Sequence, residues 1–431
     1  MNSDTPTISY HRVILRELTG KGDALAEITT HLENGEQQTR LLPVSAGLPG
    51  EEVTIAVQEA ANIPPKRHRK RWKPRPPRVW ITEIHTSSEF RVEARCPVFG
   101  ECGGCQLQHL RYPAQLAWKR SLVEQLLREV GGFVDPPLLD AVPCDDPWGY
   151  RNHMRFSVNR DGQPGLTARG SHRVLPLANC PIAHEQINRA LTVLSAAPNA
   201  RPQVLIRCGA ATGQVMIQPQ AEANVARQLL DAGLGLRGET MEERLAGETF
   251  RIRPSSFFQT NSAQAEKMMQ MVLDGLLRDA PREGSQLTVV DAYCGVGTFS
   301  LLLARRVGRV IAIEESASAI KDAQWNLREV SNVEIHIGKV EDVLSALETD
   351  IDGLVIDPPR AGCQRSVLDT LARHPVARIV YVSCEPSTLA RDLHILCHIH
   401  STYRLRSVQP LDMFPQTAHI ECVAVLERQP V

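Results

Sequence analysis

The stretch that decides the fold is Thr288-Val289-Val290-Asp291-Ala292-Tyr293-Cys294-Gly295-Val296-Gly297-Thr298-Phe299-Ser300. An apolar run leads into a glycine loop and then into the helical pattern of 301–306, which is typical of the first unit of a parallel α/β sheet. Similar apolar runs alternate with helical segments, and the predicted strands cover 287–292, 310–314, 353–357 and 378–383. The sequence therefore predicts a doubly wound, Rossmann-like α/β domain over 256–431.

The glycine loop predicts a ligand site at the carboxyl end of the first strand. Its spacing, Gly295-x-Gly297 without a third glycine, argues against the dinucleotide fingerprint, which positions a pyrophosphate. Asp291 before the loop suits a cationic or amino-bearing ligand, and Glu314 on the next strand can accept hydrogen bonds from both ribose hydroxyls. Together these features fit S-adenosylmethionine, whereas the alternative interpretation is an ordinary strand-to-helix turn.

Two further strand ends carry candidate catalytic groups. Cys384 precedes a helix predicted over 388–396, whose positive amino-terminal end would lower the pKa of a nearby thiol. Asp357 and Arg360 follow another strand end, and Glu421 lies in an alternating strand pattern near the carboxyl terminus. We interpret Cys384 as a nucleophile and Glu421 as a base. The alternative is a packed small hydrophobe, which is our interpretation of Cys294, Cys363, Cys397 and Cys422.

A second group of cysteines has the spacing of metal ligands. Cys96, Cys102 and Cys105 lie in a glycine-containing segment that can fold round a buried centre, and Cys180 is the candidate fourth ligand. Four thiolates suit either tetrahedral zinc or a cubane iron–sulfur cluster, and the spacing alone leaves both open. The remaining alternative is a set of unpaired buried thiols.

The amino-terminal region predicts a small β-barrel over 1–62, because short alternating runs are separated by turns. A basic linker or arm follows over 63–85. It contains Trp72 and eight cations without an acid between them, namely Lys66, Arg67, Arg69, Lys70, Arg71, Lys73, Arg75 and Arg78. Such charge density attracts a phosphate backbone and Trp72 can stack on a base, so we favour nucleic-acid binding over a solvated linker.

The middle of the chain predicts an α+β domain over 86–255, with the cysteine group and a helix at 113–130. The length of 431 residues excludes a single ordinary core. The 48 Lys and Arg residues nearly balance 49 Asp and Glu, which excludes a uniformly basic binder but permits a local basic patch. No apolar run is long enough for a membrane helix, and a secretory signal pattern is absent, so we expect a soluble, cytoplasmic monomer.

In these motifs and their order, the chain resembles the RNA (uracil-5-)-methyltransferase family, in particular its 23S rRNA branch. The resemblance covers nearly the whole sequence and implies a TRAM-like amino-terminal barrel and a [4Fe–4S] cluster on Cys96, Cys102, Cys105 and Cys180. It implies methylation of carbon-5 of a uridine, with Cys384 as the nucleophile that forms a covalent adduct and Glu421 as the general base. The implied contacts to S-adenosylmethionine are Gln259, Tyr293, Thr298, Glu314 and Asp357.

The sequence departs from the family pattern at two positions. Glu385 follows the nucleophile where the family usually has Asn, and a carboxylate there raises a thiol pKa unless it points away. Thr298 stands in the glycine loop where the family often has Asn. The competing functions are the same reaction on tRNA, a methyltransferase for a small molecule or protein, and a non-catalytic RNA-binding iron–sulfur protein.

Overall fold

The structure is a computed structural model, and it describes residues 8–31, 37–59, 76–197, 201–278 and 283–430. The chain forms two compact units. The first comprises Met1–Gln115 with Gln416–Ala418, and the second comprises Leu116–Pro415 with His419–Val431. Within the described ranges, no helix is both long and apolar enough to cross a membrane.

The first unit is built on antiparallel strands that share one apolar core. A three-stranded sheet has the order β1-β4-β5, and β2 pairs with β3 in a hairpin. Core residues such as Ala26, Val44 and Ile55 come from both sheets. The strands are β1 (Ile8–Ile14), β2 (Ala24–His31), β3 (Gln37–Val44), β4 (Glu52–Gln58) and β5 (Arg78–Thr86).

The boundaries of this unit differ from the predicted ones at 62 and 85. Strand β5 pairs with β4 along its length, so the end of the predicted arm belongs to the sheet. Residues beyond 86 also pack on the loop between β3 and β4, because Arg91 forms an ion pair with the buried Glu51 at 2.5 Å and donates to the Ala46 carbonyl at 2.8 Å. The remainder of the arm, including Trp72, lies outside the described residues.

The second unit contains a mixed six-stranded sheet, in the order β11-β10-β9-β6-β7-β8. This unit also contains most of α1 (Tyr112–Glu129), which confirms the helix predicted at 113–130. Its remaining elements are β6 (His153–Val158), β7 (Pro164–Thr167), β8 (Val174–Pro176), α2 (Glu185–Ala196), β9 (Gln203–Cys208), β10 (Gln214–Gln218), α3 (Ala223–Asp231) and β11 (Gly235–Arg237). A hairpin follows, formed by β12 (Met241–Leu245) and β13 (Glu248–Ile252).

The rest of the second unit is a seven-stranded sheet in the order β16-β15-β14-β17-β18-β20-β19. The first five strands of this order are parallel, whereas β20 is antiparallel to both β18 and β19. The strands are β14 (Thr288–Ala292), β15 (Arg309–Glu314), β16 (Val333–Ile337), β17 (Gly353–Ile356), β18 (Arg378–Ser383), β19 (Tyr403–Leu411) and β20 (Glu421–Arg428). The predicted doubly wound domain is thus confirmed as a mixed α/β sheet.

Helices cover both faces of this sheet, and each face has its own apolar core. Strands buried on both faces read as continuous apolar runs, which is why the sequence revealed them. The helices are α4 (Ser262–Leu277), α5 (Thr298–Ala304), α6 (Ala317–Asn326), α7 (Val340–Ala346), α8 (Arg365–Arg373) and α9 (Pro386–His394). A π-helical turn, Ile395–Ile399, extends α9.

Candidate active site

The candidate residues meet at the carboxyl edge of the parallel strands. Cys384 directly follows β18, and Asp357 directly follows β17. Because β20 runs the opposite way, its first residue, Glu421, lies at this same edge. Ser383, the last residue of β18, pairs with Cys422 of β20. Cys384, just beyond β18, therefore lies opposite Glu421, the first residue of β20. The strand order therefore brings the predicted nucleophile and base together.

The Cys384 thiol is half-buried, and burial raises its pKa to about 11. The charges of Glu421 and Asp357 contribute to this rise, whereas the charge of Arg360 and its hydrogen bond to the thiol oppose it. The predicted lowering of the thiol pKa by the following helix is therefore wrong, because desolvation and two like charges outweigh it. Without a change at the site, Cys384 is a neutral thiol at neutral pH.

The two carboxyl groups beside Cys384 also hold their protons more tightly than usual. Burial, reinforced by the charge of Asp357, raises the pKa of Glu421 well above its ordinary value, and the charge of Arg360 opposes this. Burial raises the pKa of Asp357 to about 7, with Asp291 as a second cause. The Asp357 carboxyl consequently titrates near neutral pH, and Glu421 holds its proton more tightly than an exposed carboxyl does, which suits proton transfer.

A network on α9 holds the loop that carries Arg360. Thr388 Oγ1 donates to the Arg360 carbonyl at 3.2 Å, and Arg391 Nη2 donates to the Ala361 carbonyl at 2.9 Å. The fully buried carboxylate of Asp392 accepts the Cys363 N–H at 2.8 Å and the Tyr381 hydroxyl at 2.7 Å. Sequence reasoning missed Asp392, because one acid within a helical pattern resembles an exposed residue.

The glycine loop after β14 lies next to this edge, since the Asp357 N–H donates to the Ala292 carbonyl at 3.4 Å. Tyr293 has φ 66°, and Gly297, which caps α5, has φ 83°, so the loop turns sharply before Thr298 begins the helix. Glu314 closes the loop from the neighbouring strand: its carboxylate accepts the Gly295 N–H at 2.9 Å. Tyr293, Thr298 and Glu314 are thus gathered round one turn.

Asp291 is placed differently from the sequence expectation. It is fully buried at the end of β14, where Ser300 Oγ donates to its carboxylate at 2.5 Å. Its other oxygen has no hydrogen-bond partner within the described part of the chain. Burial raises the pKa of Asp291 to about 7, and the nearby charge of Glu314 contributes to this rise. Asp291 therefore links β14 to Ser300 of α5, the two elements that the glycine loop connects.

Gln259 lies on the turn between β13 and α4. The Asn152 side-chain amide donates to the Gln259 carbonyl at 3.1 Å and to Ser262 Oγ at the same distance. The next residues begin α4, whose first turn is capped by Asn261. Asn152, which directly precedes β6, therefore connects the Gln259 turn to the six-stranded sheet.

A buried ion pair anchors the segment that leads from β19 toward Glu421. Lys119 Nζ lies 2.6 Å from Asp412 Oδ1, and both side chains are fully buried. Lys119 also donates to the Phe414 carbonyl at 3.1 Å, while Gln264 donates to the Asp412 carbonyl at 3.0 Å. Sequence reasoning missed Lys119 as well, because lysines in an amphipathic helix are ordinarily exposed.

The cysteine group is divided between the two units. Cys96, Cys102 and Cys105 belong to the first unit and Cys180 to the second, and all four are thiols outside disulfides. The Gly104 N–H donates to Cys102 Sγ at 3.4 Å. As placed, the described residues include no group of three or more His, Cys, Asp or Glu side chains that could hold a metal ion. The chemistry of the four donors suits a metal, and the metal set stays a prediction.

The two departures from the family pattern have different positions. The Glu385 carboxylate accepts a hydrogen bond from Ser387 Oγ at 2.7 Å, and the charges that act most strongly on Cys384 are those of Glu421, Asp357 and Arg360. Thr298 is the first residue of α5 in the glycine loop. Glu385 therefore is not the main cause of the raised thiol pKa.

Comparisons with known proteins cover nearly the whole chain. A family model described as tRNA (uracil-5-)-methyltransferase matches residues 238–429. An uncharacterized RNA methyltransferase of Gloeobacter violaceus is 36% identical over 96% of each chain, and one of Bacillus cereus is 31% identical over 94% of this chain and 96% of its own. The solved structure of Pyrococcus abyssi tRNA (uracil-54, C5)-methyltransferase with S-adenosyl-L-homocysteine has a TM-score of 0.71 and 25% identity, and the match covers 96% of this chain and 99% of that one.

Proposed function

The chain belongs to the RNA (uracil-5-)-methyltransferase family, and from this membership we propose that it methylates carbon-5 of a uridine in 23S rRNA through a covalent Cys384–uracil adduct. It is a class I, S-adenosylmethionine-dependent enzyme that acts on RNA. The observation that carries the proposed mechanism is the register of β18 and β20, which sets Cys384 opposite Glu421. The similarity to the Pyrococcus abyssi tRNA enzyme supports tRNA as the second candidate substrate.

The reaction requires a nucleophile because carbon-5 of uracil is too weakly nucleophilic to take a methyl group unaided. Cys384 loses its proton and its sulfur forms a bond to carbon-6, so that the electron pair of the 5,6 double bond moves into an enolate. Carbon-5 then becomes the nucleophile and takes the methyl group, whose bond to the sulfonium of S-adenosylmethionine breaks so that S-adenosylhomocysteine leaves with that electron pair. The charge of Arg360, which favours the thiolate, supports its formation at this edge.

A base completes the reaction by removing the proton from carbon-5. The electron pair of the broken C–H bond restores the 5,6 double bond, and the bond between carbon-6 and sulfur breaks, which frees the thiolate. Glu421 is the candidate base because it lies opposite Cys384 and its raised pKa makes its carboxylate a stronger proton acceptor than an exposed one. Asp357 is the other carboxyl group whose charge acts on Glu421.

S-adenosylmethionine supplies an electrophilic methyl group on a sulfonium. We propose that Tyr293, Thr298 and Glu314 bind it from the glycine loop, with Asp357 and Gln259 beside them. The raised pKa values of Asp291 and Asp357 support this arrangement, because a nearby cation stabilises the charged form of two adjacent carboxyl groups. Glu314, at the end of β15, has the position of a ribose-binding carboxylate.

We further propose that Cys96, Cys102, Cys105 and Cys180 hold a [4Fe–4S] cluster with a structural or RNA-positioning role. The support is the donor set of four thiols outside disulfides and the backbone N–H donor at Cys102, a contact common at cluster sulfurs. Protein purified without oxygen should carry about four irons per chain. Cys102→Ser and Cys180→Ser should lower that content equally, whereas Cys208→Ser should retain it. Stoichiometric zinc without a visible absorption band would contradict the cluster.

The catalytic proposal is tested with two variants that fail at different steps. Cys384→Ala cannot form the bond to carbon-6, so it should bind RNA yet yield neither 5-methyluridine nor a covalent complex. Glu421→Gln should accumulate a methylated protein–RNA adduct that survives denaturing electrophoresis, because elimination stalls. Near-normal turnover by Cys384→Ala would end the proposal and direct attention to Cys294 or Cys363 as the nucleophile.

The RNA target is tested by mapping 5-methyluridine in total RNA from cells with and without the gene. Loss of the modification from 23S rRNA supports the proposed substrate. Loss from tRNA alone would replace 23S rRNA with tRNA while leaving the mechanism in place.

A further inference from the structure

An arginine-rich end of the six-stranded sheet lies next to the Gln259 turn. Residues 151–173 contain five arginines and two histidines against one acidic residue, Asp161. Strand β6 begins two residues after Arg151 and leads to the turn that contains Asp161. Strand β7 then runs antiparallel to β6, back toward the end of the sheet where β6 begins. The turn between β7 and β8, at 168–173, therefore lies at the same end of the sheet as Arg151. We call this end, defined by Arg151, Arg155, Arg169 and Arg173, the arginine end.

Three arginines converge on His153 at this end. Arg207 Nη2 lies 3.0 Å from His153 Nδ1, and Arg151 Nε donates to the His153 carbonyl at 3.3 Å. Arg155 follows two residues later, so its side chain is on the same sheet face. Burial lowers the pKa of His153 to about 3, with the charges of Arg207, Arg151 and Arg155 as further causes of this fall. The electrostatic environment of this sheet end is consequently strongly positive.

The positive region continues outward and toward the catalytic edge. In the β7–β8 turn, Arg169, His172 and Arg173 are exposed. Toward the catalytic edge, Asn152 follows Arg151. Its backbone N–H and its side-chain amide both donate hydrogen bonds to the turn that contains Gln259. The charges of Arg360 and Arg151 both contribute to the lowered pKa of His419, two residues before Glu421. Cations therefore occur from the exposed β7–β8 turn to Arg360, which forms a hydrogen bond with the Cys384 thiol.

We propose that the arginine end binds the phosphate backbone of the RNA strand that flanks the target uridine. The inference rests on the proposed RNA substrate and adds a surface separate from the basic arm. Guanidinium groups suit this role because their planar N–H donors match phosphate oxygens in two-point contacts. Arg207 is buried and has a structural role at this end of the sheet, because its guanidinium donates hydrogen bonds to the Ser256 and Arg253 carbonyls.

The test measures binding of a short, fluorescein-labelled, uridine-containing single-stranded RNA by fluorescence anisotropy over a range of salt concentrations. The double variant Arg169→Gln/Arg173→Gln removes two cations from the exposed turn. Since each phosphate contact on a single strand contributes about 0.7 to the slope of log K against log salt, the slope should fall by about 1.4. Arg160→Gln, an exposed arginine in the opposite turn of the same strands, is the matched control and should retain the wild-type slope.

The charge-conserving variant Arg169→Lys/Arg173→Lys should recover most of the slope, which separates charge from folding. Equal slopes for the double glutamine variant and Arg160→Gln would overturn the proposed surface. A lower slope that the lysine variant does not recover would overturn it too, since loss of structure then explains the change. A wild-type protein that methylates no RNA but shows the expected slopes would refute the proposed function and leave the surface standing.

Discussion

Arg360 controls the reactivity of Cys384, and this predicts a measurable change in the chemistry of the thiol. The pKa of Cys384 is raised to about 11, so at pH 8 about one molecule in a thousand holds the thiolate. An opposite charge close to an ionising group shifts its pKa by about one to three units. Because the Arg360 side chain is exposed, we expect the low end of this range. Arg360→Gln should therefore raise the thiol pKa by about one unit.

The assay is the rate of alkylation of Cys384 by iodoacetamide as a function of pH, followed by mass spectrometry of the peptide. The thiolate is the reacting form, so one unit of pKa makes the rate at pH 8 about tenfold lower in Arg360→Gln. The wild-type rate should rise about tenfold with each pH unit up to its plateau. Peptide-level detection separates Cys384 from the other cysteines.

Arg365→Gln is the matched control, because Arg365 is also exposed but pairs with Asp369 at 2.8 Å on α8. Its alkylation profile should superimpose on that of the wild type. If the Arg360→Gln profile superimposes as well, the guanidinium does not act on the thiol and the electrostatic reasoning is wrong. A wild-type plateau near pH 8 would refute the raised pKa itself.

Three further predictions concern groups that hold the site. Asp392→Asn should lower the free energy of unfolding by about 3 kcal/mol in denaturant titration, because a buried carboxylate loses charge-assisted hydrogen bonds; Asp369→Asn, at a partly exposed position on α8, should change it far less. Lys119→Met should cost about 3–5 kcal/mol in the same assay because it leaves Asp412 charged and buried, and Asp412→Leu in the same chain should restore much of this loss. Glu314→Gln should weaken the binding of S-adenosylhomocysteine by about tenfold in calorimetry, since one charge-assisted hydrogen bond is worth roughly 1.5 kcal/mol.

The strands of the large sheet were predictable where both faces are buried. Residues 378–383 match β18 because its four central residues, 379–382, form a continuous apolar run. Strand β16 was not predicted, since it lies at the sheet edge and its sequence, Val333–Ile337, alternates apolar with polar residues and ends on the exposed Ile337. An edge strand has too little burial to produce a continuous apolar signal.

The candidate site was predictable in its residues but only partly in its electrostatics. Strand ends pointed to Cys384 and Asp357, because parallel strands deliver their carboxyl ends to one edge, and an alternating strand pattern pointed to Glu421. The sign of the thiol pKa shift was not predictable, because it depends on how much water the fold excludes and on charges distant in sequence. Lys119 and Asp392 escaped notice because a single charged residue in a helix reveals its burial only after the chain has folded.

The position of β20 has a consequence for how the enzyme comes into existence on the ribosome. Strands β14 to β18 can assemble in the order in which they are made, but β20 inserts between β18 and β19, which both precede it in the chain. Until residues 421–428 have been synthesised, β18 remains an open edge, and an unpaired edge strand favours aggregation. A chain that stops before Glu421 would expose that edge and carry a nucleophile without its proposed base. Premature termination should thus yield insoluble protein rather than a weakly active enzyme.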